Sequence, residues 1–195
     1  MELGDLLEFS AIAFALGYVL LAAKENIWCW LPAFVSSALY AYITWKAQLV
    51  GESFISIFYM GMAVYGWKLW HSSKTTAQHL PVSEWEIQWH LLAIAVGLAA
   101  TISLGFAFQK LFGSAMPYLD AFTTSFSLIA TYLVARKVLS NWIYWIIIDA
   151  LNIFLYWNRD LKMSSVLYLL YTILAVWAYF SWRKSWKSSQ QSLPL

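Results

Sequence analysis

One cysteine, Cys29, in a chain of 195 residues leaves no intramolecular disulfide and no thiolate zinc site. Charge is scarce too: 11% of the residues are Asp, Glu, Lys or Arg and 62% are apolar, against roughly a quarter and a half in soluble domains. Such a chain cannot face water on all sides, which excludes the secreted, fibrous, disordered and soluble-enzyme classes. The formal net charge is +2, and the 12 Lys and Arg residues stand in short groups between apolar runs, so no nucleic acid is expected as a partner. Paired histidines inside helices, which a b-type haem would need, are missing; His71, His79 and His90 lie in or beside one polar connection. No lysine sits deep in an apolar run to carry a Schiff base. There is no His-Glu-x-x-His, no Gly-x-Ser-x-Gly and no phosphate-cradling loop among eight scattered glycines. Neither a cofactor nor an enzymatic activity is expected. Aromatic residues, by contrast, abound: 13 Trp, 12 Tyr and 12 Phe exceed what two interfacial belts need, and the excess points to a ligand.

Apolar segments run from Leu6 to Ala23, Ile27 to Trp45, Ser53 to Trp70, Trp89 to Phe112, Pro117 to Ala135, Trp142 to Trp157 and Val166 to Trp182. Each is about long enough to cross a bilayer, which predicts an all-α integral membrane protein with seven transmembrane helices. The first segment has an acidic front, Glu2, Asp5 and Glu8, and no Ala-x-Ala site before Lys24, so it is expected to stay in the mature protein. Seven spans put the two termini on opposite faces. Lys24, Lys68, Lys74, Arg136, Lys137, Arg183, Lys184 and Lys187 gather on one side, and Lys46, Lys110, Arg159 and Lys162 on the other. The positive-inside rule then predicts an outer N-terminus and a cytoplasmic C-terminus, with the long connection His71 to Gln88 in the cytoplasm.

A shift of 115 residues sets the first three segments on the last three without a gap, placing Asp5 on Asp120, Ser10 on Ser125, Asn26 on Asn141, Trp30 on Trp145, Ala63 on Ala178 and Trp67 on Trp182. A repeat and its copy are separated by an even number of segments, so both run the same way through the membrane. The expected plan is a parallel three-plus-one-plus-three repeat: residues 1–70, a loop and linker helix over 71–115, a second repeat over 116–184 and a tail over 185–195. Transporters of this plan bind substrate where the repeats meet.

Asp149 is the only charged residue well inside any segment, and a carboxylate there costs about 2.5–3.5 kcal/mol on insertion scales. Asn141, Trp145, Asp149, Asn152 and Tyr156 follow helical spacing and share one face of the sixth segment. Asp120, Thr124, Ser127 and Thr131 form a polar stripe on the fifth, Ser164, Tyr168, Tyr171, Ala175 and Trp182 an aromatic one on the seventh, and Ser36, Ser37, Tyr40 and Thr44 mark the second. Such stripes also serve as glue between helices. Trp28, Trp70, Trp142 and Trp186 lie at segment ends and read as interfacial anchors. Ring faces with Asn, Asp, Ser and Gln suit a flat ligand ring, neutral or cationic, that carries several hydroxyls. A nucleoside or similar glycoside has that chemistry.

The motifs Trp28-Cys-Trp30, Ser36-Ser37-x-x-Tyr40, Phe58-Tyr59-x-x-Met62-x-x-Tyr65-Gly66-Trp67-x-x-Trp70, Asn141-Trp142-x-x-Trp145-x-x-x-Asp149, and Leu167-Tyr168-x-x-Tyr171 with Trp182-Arg183 resemble the PnuC family of bacterial nicotinamide riboside transporters. The likeness spans nearly the whole chain. It implies seven helices in three-plus-one-plus-three order, a fold related to the SWEET sugar carriers, homotrimers in the bacterial inner membrane, and facilitated diffusion of nicotinamide riboside with trapping by a cytoplasmic kinase. It also implies that Asn152, Trp182, Trp67 and Gln88 bind substrate. Asp149, Trp145, Tyr40 and Tyr168 join them as candidates from the polar and aromatic stripes. The outer turn Trp157-Asn158-Arg159-Asp160 is more charged than the family pattern, and riboflavin or thiamine carriers remain alternatives. Two other classes compete: a membrane enzyme, which would need a second acid or a metal cluster near Asp149, and a non-transporting sensor subunit whose polar groups only join helices.

Overall fold

The computed structural model describes residues 3–75, 80–112 and 115–191. Among them are seven helices: α1 Leu3–Ala23, α2 Trp30–Lys46 after a 3-10 turn at Ile27–Cys29, α3 Val50–Thr75, α4 Ile87–Phe112, α5 Pro117–Ala135, α6 Asn141–Asn158 and α7 Lys162–Gln191. Every expected segment is a helix. The largest departure is α7, which runs nine residues beyond Trp182; Arg183–Gln191 contains neither Gly nor Pro, so nothing stops the helix where the apolar run ends. His79 and Glu2 lie outside the described residues.

The chain is built inside out compared with a soluble protein. On α4, Leu91, Leu92, Val96, Leu98, Ile102 and Phe106 are exposed, as are Phe154, Val166, Ile173 and Phe180 on α6 and α7. Most buried positions of α5 are instead small or hydroxyl-bearing, Ala121, Thr123, Ser125, Ser127, Ala130, Thr131 and Ala135, beside the larger Phe126, Leu133 and Val134. Lipid gives no hydrophobic drive between helices, so small and hydroxyl-bearing residues are common where helices pack and many bulky aliphatics face outward. Four stretches, Leu6–Ala23, Ile27–Lys46, Ile87–Leu111 and Lys162–Gln191, are long and apolar enough to cross a membrane by themselves. The helices outside that set include α5 and α6, which carry Asp120 and its hydroxyl stripe and Asp149 with Asn152.

The chain divides into two compact units. The first holds residues 1–82, 135–137 and 180–195. Here Ser36 Oγ donates to the Ala11 carbonyl at 2.9 Å and joins α2 to α1, and the Thr44 and Ser53 hydroxyls meet at 2.9 Å between α2 and α3. The Trp30 ring lies directly against Gly66, where a side chain would collide with it, and meets the Trp70 ring edge-on at 5.3 Å. The ends of α1 and α5 are held by indoles. Trp182 Nε1 donates to the Ala22 carbonyl and Trp70 Nε1 to the Ala135 carbonyl, each at 2.9 Å. Beside them Lys137 Nζ pairs with Glu25 Oε2 at 2.8 Å and sits 4.7 Å from the centre of the Trp70 ring.

The second unit holds residues 83–134 and 138–179. Its core is Phe126, Ala130 and Ile148, with Phe122, Ile129, Tyr144 and Trp145 packed around them. Leu139 N–H donates to the Ser83 carbonyl at 2.8 Å and ties the segment before α4 to the turn before α6. Arg159, which made the outer turn look unusually charged, pairs with Asp120 at 2.6 Å.

Turn geometry corrects the register of the repeat. Glu25 and Lys137 both have φ of 53°, and Gln48 and Asp160 have φ of 60° and 57°; each pair is 112 positions apart, three fewer than the gapless alignment used. The same offset relates Asn26 N–H to Leu21 O with Val138 N–H to Leu133 O, and Leu49 N–H to Thr44 O with Leu161 N–H to Tyr156 O. These are left-handed helix caps in which the residue after the cap bonds back to the last turn. At this offset Trp30 answers to Trp142, Ser53 to Ser165 and Trp70 to Trp182, so Trp30 with Trp145 and Trp67 with Trp182 are not equivalents. Identities misled because a slip of about one helical turn keeps the same faces aligned. Glu25 and Lys137 are therefore each other's equivalents, paired across the repeat. Trp70 and Trp142, expected as interfacial anchors, are instead buried at 4% and 3% exposure; both face protein at helix ends.

Gly66 is a packing requirement, and it has a built-in control. A Cβ at Gly66 meets the Trp30 ring, whereas one at Gly61 meets nothing within 4 Å. Gly66→Ala should cost about 1–3 kcal/mol and Gly61→Ala should be neutral or stabilising by up to about 1 kcal/mol. Thermal unfolding in detergent checks this: a midpoint lowered only in Gly66→Ala is expected, and equal midpoints contradict the packing.

Candidate functional site

The sixth helix presents Trp145, Asp149, Asn152 and Tyr156 at steps of four, three and four. Trp145 packs half-buried against the Phe126 and Ile148 core, which fixes the rotation of α6. With that face turned inward, Asp149 is 4% exposed and Asn152 8%. Neither side chain makes a hydrogen bond or ion pair with any described residue. Buried polar groups are overwhelmingly hydrogen-bonded, and leaving one bare costs about 1–3 kcal/mol. Asn141 Oδ1, on the same face, is likewise without a hydrogen-bond partner among the described residues, so this side of α6 carries a row of polar groups whose bonding capacity is left open.

The seventh helix completes the surroundings. Tyr168 is within electrostatic reach of Asp149 and shares a side-chain hydrogen bond with Tyr156. The Tyr156 and Tyr168 rings stack at 5.1 Å with an interplanar angle of 22°, and Tyr171 meets Tyr168 edge-on at 6.0 Å. Ser165, bonded to the Ile153 carbonyl at 2.9 Å, clips α7 to α6 and sets this stack. The arrangement offers a carboxylate, an amide with a donor and an acceptor, and a shelf of phenol rings.

The other candidates are placed differently. Gln88 belongs to the same unit but is exposed, and its amide donates to Glu86 Oε2 at 2.7 Å. Trp67, Trp182 and Tyr40 belong to the first unit. Trp67 is half-buried with its ring 5.1 Å from Trp28, and it lines an apolar pocket of about 270 Å³ with Trp30, Phe34 and Lys68. Tyr40 is half-buried on α2. Trp182 is fully buried and its N–H is taken up by Ala22. Sequence reasoning overlooked Tyr156 as the stacking partner of Tyr168, although helical spacing had already put it on the face of Asp149. It also missed the cluster around His90, whose ring nitrogens lie 3.1 Å from the Tyr144 hydroxyl and 3.3 Å from that of Ser140. Among the described residues no group of three or more His, Cys, Asp and Glu could hold a metal ion.

The family profile described as nicotinamide mononucleotide transporter matches residues 5–184. The nicotinamide riboside transporter PnuC of Neisseria mucosa is 26% identical over 183 residues, covering 85% of this chain and 67% of that protein. The riboflavin/roseoflavin transporter RibM of Streptomyces davaonensis is 27% identical over 176 residues, covering 88% and 79%. The nicotinamide riboside transporter PnuC of Escherichia coli is 22% identical over 185 residues, covering 80% and 76%. A crystal structure of the vitamin B3 transporter PnuC superposes with a TM-score of 0.73 at 24% identity, covering 94% of this chain and 83% of that one. At that identity the match speaks for the fold.

Proposed function

The chain belongs to the nicotinamide mononucleotide transporter family, and on that premise we propose that it carries nicotinamide riboside across the bacterial inner membrane by facilitated diffusion, feeding NAD synthesis. It is a multi-pass membrane transporter, not an enzyme. The observation that carries the reading is the pair of buried, unpartnered polar groups, Asp149 and Asn152, beside a tyrosine stack. A ribose hydroxyl or a carboxamide would satisfy both the donor and the acceptor of Asn152, and rings of Tyr168 and Trp145 suit a flat base. Gln88, Trp67 and Trp182 enter the proposed set through the family resemblance, and Tyr40 through its stripe on α2. For Trp182 the bond to Ala22 favours a role in holding the end of α1. The relative that carries riboflavin makes the flavin the competing substrate.

Transport is proposed to be uncoupled. Driving substrate uphill by protons needs a relay, and Asp149 is the only charged residue well inside any apolar segment. Accumulation then depends on consumption of the product in the cytoplasm. The proposed assembly is a homotrimer, with the N-terminus periplasmic and the C-terminus cytoplasmic, as the eight-to-four bias of Lys and Arg implies.

Asn152→Ala should weaken binding of nicotinamide riboside about tenfold to a hundredfold, since a bonded polar group of the ligand is left bare. Calorimetry on monodisperse protein measures it, and unchanged affinity would move the site elsewhere. Liposomes under an imposed proton or sodium gradient should fill no higher than the external concentration; an overshoot would refute uncoupled transport. With Cys29 replaced, a cysteine at Gln191 should resist an impermeant maleimide on intact cells while one at Glu2 reacts, and the reverse pattern would invert the orientation.

A further inference from the structure

Asp149 forms no ion pair among the described residues, whereas Arg159 is paired with Asp120 and Lys137 with Glu25. No described residue hydrogen-bonds its carboxylate, although the side chain is buried at 4% exposure in the middle of α6. An ionised carboxylate so placed is costly unless a cation or a set of donors meets it. Around it stand Asn152 one turn on, the stacked Tyr156 and Tyr168, and Trp145 one turn back, all of them neutral. Ring faces also attract a cation.

From this juxtaposition we infer that Asp149 is a specificity-determining residue, supplying the counter-charge for a ligand whose aromatic ring is itself positively charged. The inference rests on the substrate class proposed above and narrows it: a ring cation such as a pyridinium nucleoside is selected over a neutral ring of similar size, including a flavin. Asn152 reads the polar substituents, which the two ring types share, so discrimination falls to the carboxylate. Helix glue would leave Asp149 bonded to a neighbouring helix, and it is not. Were a proton to neutralise Asp149 instead, the site would lose its preference for charge altogether.

The test compares nicotinamide riboside with its dihydro form, which keeps the ribose and the carboxamide and loses only the ring charge. Calorimetry on the purified wild type should show the cationic form bound about tenfold or more tightly than the neutral one, the size expected of a close charge pair. Asp149→Asn, nearly equal in shape, should lose that advantage while binding the neutral form within about threefold of the wild type. If the variant does not purify as a monodisperse species, the wild-type ratio alone decides. Equal wild-type affinities, or a variant that loses both forms in the same proportion, would overturn the inference and leave the transport reading standing. A wild type that binds neither form overturns both.

Discussion

Helix ends in an apolar setting must find donors for their last carbonyls, because no water is at hand to satisfy them. Here the answer is a pair of buried indoles. Trp182 closes α1 through Ala22 and Trp70 closes α5 through Ala135, while Glu25 and Lys137, at the left-handed positions that end the same two helices, form an ion pair with each other. A left-handed conformation ordinarily favours glycine, and holding a side chain there costs of order 1 kcal/mol or more. At Glu25 and Lys137 the ion pair offsets part of that cost. The two indoles are equivalents in the two halves of the sequence, as are Glu25 and Lys137, so the clasp joins the repeats through matching donor and charge positions, its two acceptor carbonyls being one residue out of register.

The polar face of α6 contrasts with these bonded helix ends. The hydroxyls of Ser36, Thr44, Ser53, Thr131 and Ser165 all reach carbonyls or one another, and Glu25 with Lys137 and Asp120 with Arg159 form ion pairs at helix ends. Asp149 and Asn152 alone on their face of α6 reach nothing among the described residues. Other buried polar atoms also lack a hydrogen bond among the described residues, Trp30 Nε1, Ser125 Oγ and Asn141 Oδ1 among them; what sets Asp149 and Asn152 apart is their place one turn from each other beside the tyrosine stack. Membership in a transporter family is what makes a carrier site the proposed reading of that face.

Helices were legible from the apolar runs because lipid exposure demands them, and the face of α6 followed from spacing. The register of the repeat was not legible. Chance identities such as Asn26 with Asn141 favoured a shift three residues too large, whereas the caps that define the true register are set by φ at Glu25, Gln48, Lys137 and Asp160, none of them glycine. The burial of Trp70 and Trp142 was hidden for a related reason: a tryptophan at a helix end looks the same in sequence whether it meets lipid headgroups or, as Trp70 does, another helix's carbonyl. Pairings between residues 112 positions apart, such as Glu25 with Lys137, leave no local signal at all.

The most direct test of the account is saturable uptake into liposomes containing this protein and no other. Labelled nicotinamide riboside should enter until inside and outside concentrations are equal, and unlabelled nicotinamide riboside should block it far better than riboflavin does. Uptake no faster than in protein-free liposomes, or uptake blocked better by riboflavin, would contradict it.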